Sequence, residues 1–212
     1  MSFTNKDGLS VAQKMVETIQ QHKAWLSEID GAAGDGDHGI NMSKGFTLAQ
    51  NKMTPDMTMS EAFLLISQVL MEEIGGSMGP LYGIWFRGLS RESAGHEVID
   101  DARLRAMFAT ALADLQTLTS AAPGDKTLLD ALIPATDALV TGKGVSSMKQ
   151  AAQAGFDATR QMFPRVGRAS RVGERSVGHP DAGAGSCLLL LTAFADQVLT
   201  LTHKEAPHAA AD

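Results

Sequence analysis

Three carboxylates within eight positions form the densest group of residues that could do chemistry. Asp30, Asp35 and Asp37 are separated and flanked by glycines in the run from residue 30 to residue 41. Carboxylates held this close repel one another unless a cation lies among them, and oxygen ligands suit Mg²⁺ or Ca²⁺. Because a single residue separates Asp35 from Asp37, one turn can direct both side chains at the same ion. The spacing therefore favours a divalent-cation site.

Three other structures are alternatives for this acidic loop: an EF-hand, a dinucleotide-binding turn and a solvated turn. A calcium-binding EF-hand needs a glutamate at its twelfth position, and counting from either Asp30 or Asp35 reaches no glutamate. A G-x-G-x-x-G match begins at Gly34, but no strand pattern precedes it, and the two enclosed aspartates would repel a bare pyrophosphate. A solvated acidic turn between two helices stays open as the structural alternative.

Two further loops have the composition of phosphate-binding segments. Residues 75–83 are rich in glycine and precede a predicted helix, where bare backbone amides favour phosphate oxygens. The same glycines also suit a tight turn between packed helices, and no Walker sequence G-x-x-x-x-G-K-[ST] occurs. The loop of residues 164–186 carries arginines suited to bidentate phosphate contacts, with a solvated basic loop as the alternative; they are Arg165, Arg168, Arg171 and Arg175. Together the three loops fit a nucleotide polyphosphate held through Mg²⁺.

Composition and charge narrow the class of protein. The chain has 212 residues, of which 44% are hydrophobic and 20% charged, which is ordinary globular usage. Its net charge of -6 argues against nucleic-acid or anionic-membrane partners. Cys187 is the only cysteine, so an intrachain disulfide is impossible. The N-terminus lacks the apolar core of a signal peptide, and no run approaches the roughly 18 apolar residues of a membrane span. We therefore expect a cytoplasmic protein.

The hydrophobic pattern predicts helices throughout, because apolar residues recur three or four positions apart and no period-2 segment is sustained. We expect an all-α fold, an eight-helix antiparallel up-and-down bundle or barrel with the nucleotide site in the loops at one end. Residues 1–204 would form one domain and residues 205–212 a frayed tail. The predicted helices are 11–29 with Ser10 as N-cap, 42–49, 60–74, 81–89, 104–118, a sixth capped by Thr127 and kinked by Pro134, a seventh capped by Ser146 or Ser147 and running to Phe163, and 186–202.

Four motifs in fixed order give the sequence a family resemblance. Residues 34–42, 75–83, 123–127 and 167–179 resemble the L subunits of dihydroxyacetone kinases in order and spacing, over about Leu9 to Thr202. The resemblance implies an eight-helix antiparallel barrel that binds ADP or ATP at one end. It further implies that Asp30, Asp35 and Asp37 ligate two Mg²⁺ ions and, with Arg168, serve phosphoryl transfer. The implied nucleotide-binding residues are His38, Gly39, Ile40, Asn41, Gly76, Ser77, Met78, Leu128, Arg168, Pro180, Asp181 and Ala182.

The resemblance also implies partners. In this family the sugar is bound covalently to a histidine of a separate K subunit, and in bacterial phosphotransferase-coupled versions an M subunit rephosphorylates the bound ADP. A homodimer is a further expectation that stays open. Two alternatives remain for the function, a nucleotide-sensing regulatory subunit and a kinase subunit for a four-carbon ketose. The sequence departs from the family pattern at Met78, which replaces a small residue, at residues 179–183 and at Arg171-Val172.

Overall fold

The computed structural model describes residues 1–167 and 169–204, which form ten α-helices and two short strands. The strands are β1 (Ser2–Thr4) and β2 (Val98–Asp100). The helices are α1 (Leu9–Gln21), α2 (Lys23–Ala33), α3 (His38–Gln50), α4 (Met59–Glu73), α5 (Met78–Ser93), α6 (Asp101–Gln116), α7 (Leu129–Val140), α8 (Gly144–Ala158), α9 (Ala169–Val172) and α10 (Ala182–Lys204). The all-α prediction is confirmed. The predicted tail, residues 205–212, lies outside the described residues.

The predicted count of eight helices differs from the structure for two local reasons. The first predicted helix bends at His22, whose backbone has φ −103° and ψ 14°, so that α1 and α2 are separate. There the carbonyl of Thr18 accepts the His22 N–H at 3.2 Å and also lies 2.8 Å from its ring Nδ1, and this side-chain contact competes with regular helix geometry. The four-residue α9 lies in a segment that was predicted to be a loop.

The predicted helix starts are corrected at three places. Ser10 lies in the first turn of α1, because the preceding turn already bonds the Gly8 N–H to the Thr4 carbonyl at 3.0 Å. Thr127 lies one residue before the N-cap of α7, although its hydroxyl still accepts the Leu129 N–H at 3.2 Å. Neither Ser146 nor Ser147 caps α8, since Gly142 and Gly144 turn the chain earlier with positive φ angles and α8 begins at Gly144.

The hydrophobic pattern did not indicate the two short strands. β1 and β2 pair antiparallel, with Phe3 opposite Ile99 and both side chains buried. Each strand has only three residues, which is too short for an alternating pattern to be visible in the sequence. The pair ties the N-terminus to the turn between α5 and α6.

Helices joined by short connections pack against each other, α4 on α5, α5 on α6 and α7 on α8, so successive helices run in opposite directions. The connections therefore alternate between two ends, and four of them share one end: residues 34–37, 74–77, 117–128 and 159–181. By length and composition, Ala182–His203 of α10 could cross a membrane, but 61% of its most apolar window is buried. α10 packs on α1, α7 and α8 and is read as a core helix.

Candidate functional site

The acidic loop brings its three carboxylates together. One side-chain oxygen from each of Asp30, Asp35 and Asp37 lies within 4.8 Å of the others. Asp30 is in the last turns of α2 and Asp37 is the N-cap residue of α3, so the two helix ends converge on this point. Gly36 between them has φ 77°, a left-handed conformation that favours glycine. The three carboxylates therefore lie together, as their spacing in the sequence predicted.

Electrostatics make this cluster receptive to a cation. Burial raises the pKa of Asp30, and the neighbouring carboxylates of Asp35 and Asp37 raise it further. The backbone N–H of His38, which donates to Asp30 Oδ2 at 3.2 Å, acts in the opposite direction and lowers that pKa. A bound cation would relieve the repulsion among the carboxylates. Three hard oxygen donors are the ligands that Mg²⁺ takes in proteins.

A cavity of about 260 Å³ opens beside the cluster, at the end of the bundle where the four connections meet. Asp30, Asp37 and His38 line its acidic side. Residues 75–78 form another wall, and the apolar side chains of Leu81, Leu115, Leu128 and Leu129 line its interior. One side of the cavity is therefore acidic, and much of the rest is apolar.

The structure separates the predicted nucleotide-binding residues into two groups. Those that line the cavity are His38, Asn41, Gly76, Ser77, Met78, Leu128, Asp181 and Ala182. Gly39 instead packs α3 against α2, since a Cβ there would lie 2.1 Å from the Lys23 carbonyl oxygen. Ile40 is 52% exposed, and Pro180 is buried outside the cavity lining. Arg168 lies outside the described residues.

Glycines shape the wall formed by residues 75–78. Gly76 has φ 77°, and a Cβ on Gly75 would meet no atom within 4 Å, so Gly75 faces open space. Gly79, in the first turn of α5, is different: a Cβ there would lie 2.2 Å from the Ile74 carbonyl oxygen. The wall thus combines open backbone beside the cavity with a close approach of α5 to the end of α4. Both interpretations of this loop, phosphate binding and tight packing, have a structural counterpart.

Several cavity residues were missed by sequence reasoning. Tyr82 and Lys126 are the most consequential, and both side chains are buried. The Tyr82 hydroxyl lies 2.7 Å from Ser186 Oγ, which in turn lies 2.9 Å from His38 Nε2. This chain of contacts holds the His38 ring against α10, across 148 residues of sequence. Neither residue carried a local signal beyond lying inside the motifs 75–83 and 123–127.

The N-cap of α10 is an acid whose pKa is unusually high. The pKa of Asp181 is raised to about 7, chiefly by burial. Asp130 and Asp30 contribute to the rise, whereas the Ala184 N–H and Lys126 oppose it. That N–H donates to Asp181 Oδ2 at 2.7 Å. Since the unfolded pKa is about 3.9, the folded protein retains a proton that the unfolded chain releases between about pH 4 and pH 7. Asp181 therefore lowers the free energy of unfolding as the pH rises through that window.

We expect Asp181→Asn to flatten this dependence, because asparagine also caps helices but does not titrate. In metal- and nucleotide-free protein, the variant should be more stable than wild type at pH 8 by on the order of 2 kcal/mol, and equal to it at pH 4. Urea unfolding at a series of pH values measures this difference. Parallel curves for the two proteins would contradict the raised pKa.

The chain is similar to known proteins over most of its length. The family model described as the DAK2 domain matches residues 32–196. The chain is 34% identical over 180 residues to "PEP-dependent dihydroxyacetone kinase 1, ADP-binding subunit DhaL" of Listeria innocua, covering 84% of this chain and 89% of that subunit. It is 35% identical over 187 residues to "PTS-dependent dihydroxyacetone kinase, ADP-binding subunit DhaL" of Lactococcus lactis, covering 87% and 93%.

A solved structure has the same fold. The crystal structure of the dihydroxyacetone kinase from C. freundii in complex with AMP-PNP and Mg²⁺ matches with a TM-score of 0.67 and 25% sequence identity. The match covers 88% of this chain but only 33% of that kinase chain, so this protein corresponds to about a third of the longer one.

Proposed function

This chain belongs to the DAK2-domain family, and we propose that it is the ADP-binding, phosphoryl-transferring subunit of a dihydroxyacetone kinase. The observation that carries the proposal is the three-carboxylate cluster beside a cavity, of which Asp30, Asp37 and several apolar side chains form part of the lining. The two bacterial relatives are named as ADP-binding subunits and are similar over nearly their whole length. The related kinase was solved with AMP-PNP and Mg²⁺.

The carboxylate cluster fits Mg²⁺ by its donor chemistry. Asp30, Asp35 and Asp37 would hold the metal. The family resemblance implies two ions, the number that we propose, and the nucleotide phosphates would supply the rest of the negative charge that two ions require. When bound, Mg²⁺ neutralises phosphate charge and orients the transferred group. The chain's own contribution is positioning: the α2–α3 turn holds the carboxylates together, and the His38 N–H fixes one oxygen of Asp30.

The rest of the cavity fits a nucleotide. Backbone groups of residues 75–78 border it beside the N-terminus of α5, where N–H groups favour phosphate oxygens. The leucines of its interior offer the apolar surface on which a purine ring packs. We assign the phosphates to the side with the carboxylates and the base to the apolar side. Arg168 remains proposed as a phosphate contact from the resemblance alone.

The acceptor and the donor would come from other subunits. We propose that the sugar and the base for its hydroxyl lie on a separate K subunit, as the family resemblance implies. The words PEP-dependent and PTS-dependent in the names of the two relatives favour a phosphocarrier M subunit as the source of the phosphoryl group. We propose that these proteins meet in the cytoplasm.

Nucleotide content tests the proposal directly. We expect protein purified without added nucleotide to release close to one equivalent of ADP on denaturation, with about two equivalents of Mg²⁺. Chromatography of the released nucleotide and metal analysis measure both. An empty protein that binds Mg-ATP reversibly would keep the kinase role and assign free ATP as the donor. A protein that binds neither ADP nor ATP in excess Mg²⁺ would contradict the proposal.

A further inference from the structure

One buried lysine links two separate parts of the cavity wall. Lys126 belongs to the loop between α6 and α7, is 1% exposed and lines the cavity. Its ammonium donates hydrogen bonds to the backbone carbonyls of Met162, at 3.3 Å, and of Ser176. These carbonyls lie 36 and 50 residues further along the chain. A buried ammonium needs such partners, because desolvation strongly disfavours an unpaired charge.

The two carbonyls mark the two ends of one segment. We call residues 162–167 and 169–176 the wall segment, since its residues Val166 and Gly167 line the cavity. The start of the segment is also tied to the loop that carries Lys126, because the Arg165 N–H donates to the Asp125 carbonyl at 3.2 Å. A single ammonium therefore contacts both ends of the segment, while its middle forms part of the cavity.

The backbone of Lys126 is held in a conformation that lysine seldom adopts. Among the residues that the structure describes, it is the only one other than glycine with a positive φ, 63°. The carboxylate of Asp130 fixes the loop on either side by accepting the N–H of Gly124 at 2.5 Å and of Thr127 at 2.7 Å. A left-handed conformation is unfavourable for a residue with a Cβ, so the surrounding contacts must maintain it. The strain serves to direct this side chain inward.

Asp181, the N-cap residue of α10, also interacts with the ammonium. Burial lowers the pKa of Lys126, and the carboxylate of Asp181 at the start of α10 raises it. Asp181 also lines the cavity. The ammonium thus donates to two carbonyls of the wall segment and interacts electrostatically with the N-cap residue of α10. Its removal would leave the buried Ser176 carbonyl and the partly buried Met162 carbonyl without this donor.

We propose that Lys126 is a positioning residue that fixes the wall segment against the cavity and thereby sets how long a nucleotide stays bound. This inference rests on the proposed function, because it takes ADP as the occupant of the cavity. It assigns Lys126 no chemical step. The segment it holds borders the bound nucleotide, so release of the segment opens a path for dissociation.

The test compares four variants in two measurements. Lys126→Met keeps the apolar stem and removes the ammonium, Lys126→Gly also relieves the positive φ, and Lys126→Arg retains a cation with donors. Lys149→Met is the matched control, since the Lys149 side chain is 42% exposed and pairs with Asp196, away from the cavity lining. Hydrogen exchange of peptides covering residues 160–178 is measured in nucleotide-free protein, and dissociation of a fluorescent ADP analogue is measured with Mg²⁺.

We expect Lys126→Met and Lys126→Gly to speed amide exchange in the wall segment by at least about tenfold and to speed ADP dissociation by a similar factor. Lys126→Arg should restore most of the protection, and Lys149→Met should match wild type.

Unchanged exchange in the wall segment of Lys126→Met would overturn the inference. A Lys126→Gly variant with the wild-type exchange rate would also overturn it. That result would show that the ammonium is not needed to hold the wall segment. Failure of the wild-type protein to bind ADP would refute the proposed function, while the exchange measurement, made without nucleotide, would still decide whether Lys126 positions the segment.

Discussion

Asp37→Asn should lower phosphoryl transfer by at least about 100-fold while the protein stays folded. Asparagine keeps the size of the side chain and one oxygen, but it removes a charge from the site that we assign to Mg²⁺. Metal ions contribute several kcal/mol to stabilising transferred phosphate, and each 1.4 kcal/mol corresponds to about a factor of ten in rate. The assay is transfer to dihydroxyacetone in the presence of the K subunit, at saturating Mg²⁺ and nucleotide.

The fold should tolerate this change because Asp37 occupies the N-cap position of α3 without making a side-chain capping hydrogen bond. In EDTA the melting temperature should be unchanged or slightly raised, since one of three mutually repelling carboxylates has been neutralised. Asp56→Asn is the matched control, because Asp56 is exposed in the turn between α3 and α4, at the opposite end of the bundle. Full activity of Asp37→Asn would refute the assignment of this carboxylate to the metal.

Gly79→Ala should destabilise the protein by about 3 kcal/mol, a fall in Tm of roughly 6–12 °C. The added methyl would lie 2.2 Å from the Ile74 carbonyl oxygen and 2.6 Å from that of Leu70. Both oxygens belong to the backbone at the end of α4, which cannot yield as a flexible side chain would. α5 must therefore move away from α4, and the glycine-rich wall of the cavity must move with it. Thermal unfolding measures the loss.

The same substitution at Gly75 provides the control. Gly75 is four residues earlier in the same loop, and an added Cβ would meet no atom within 4 Å. Gly75→Ala should stay within about 0.5 kcal/mol of wild type, as surface changes usually do. Equal melting temperatures for the two alanine variants would contradict the close packing of α4 and α5 that the structure shows.

Local sequence was sufficient for the features whose determinants lie close together in the chain. The carboxylate cluster could be predicted because Asp30, Asp35 and Asp37 share one glycine-rich turn, and most helices could be predicted because their apolar spacing is regular. The bend at His22 could not be predicted, because it depends on a contact between the imidazole and the Thr18 carbonyl. Hydrophobic periodicity does not indicate such a contact. The two strands could not be predicted either, because three residues are too few to show an alternating pattern.

The roles of some cavity residues could not be predicted, because they depend on contacts between residues far apart in the sequence. Lys126 lies in a polar loop segment, yet its side chain is buried. Its ammonium donates to backbone carbonyls 36 and 50 residues further along the chain. Gly39 matched a nucleotide-binding motif, and the structure shows that its missing side chain also permits α3 to approach the Lys23 carbonyl. A motif therefore identified the region, whereas only the packed structure separated residues that line the cavity from residues that shape it.

The central claim is that this chain holds a nucleotide through its acidic cluster and passes the terminal phosphoryl group to a sugar on another subunit. The most direct measurement is a single turnover: the protein is loaded with Mg-ATP labelled at the terminal phosphate and mixed with its K subunit carrying dihydroxyacetone. We predict close to one equivalent of labelled sugar phosphate per chain, and none from Asp37→Asn. Labelled ATP that stays bound and untransferred in the complete mixture would contradict the claim and favour a nucleotide-sensing regulatory subunit.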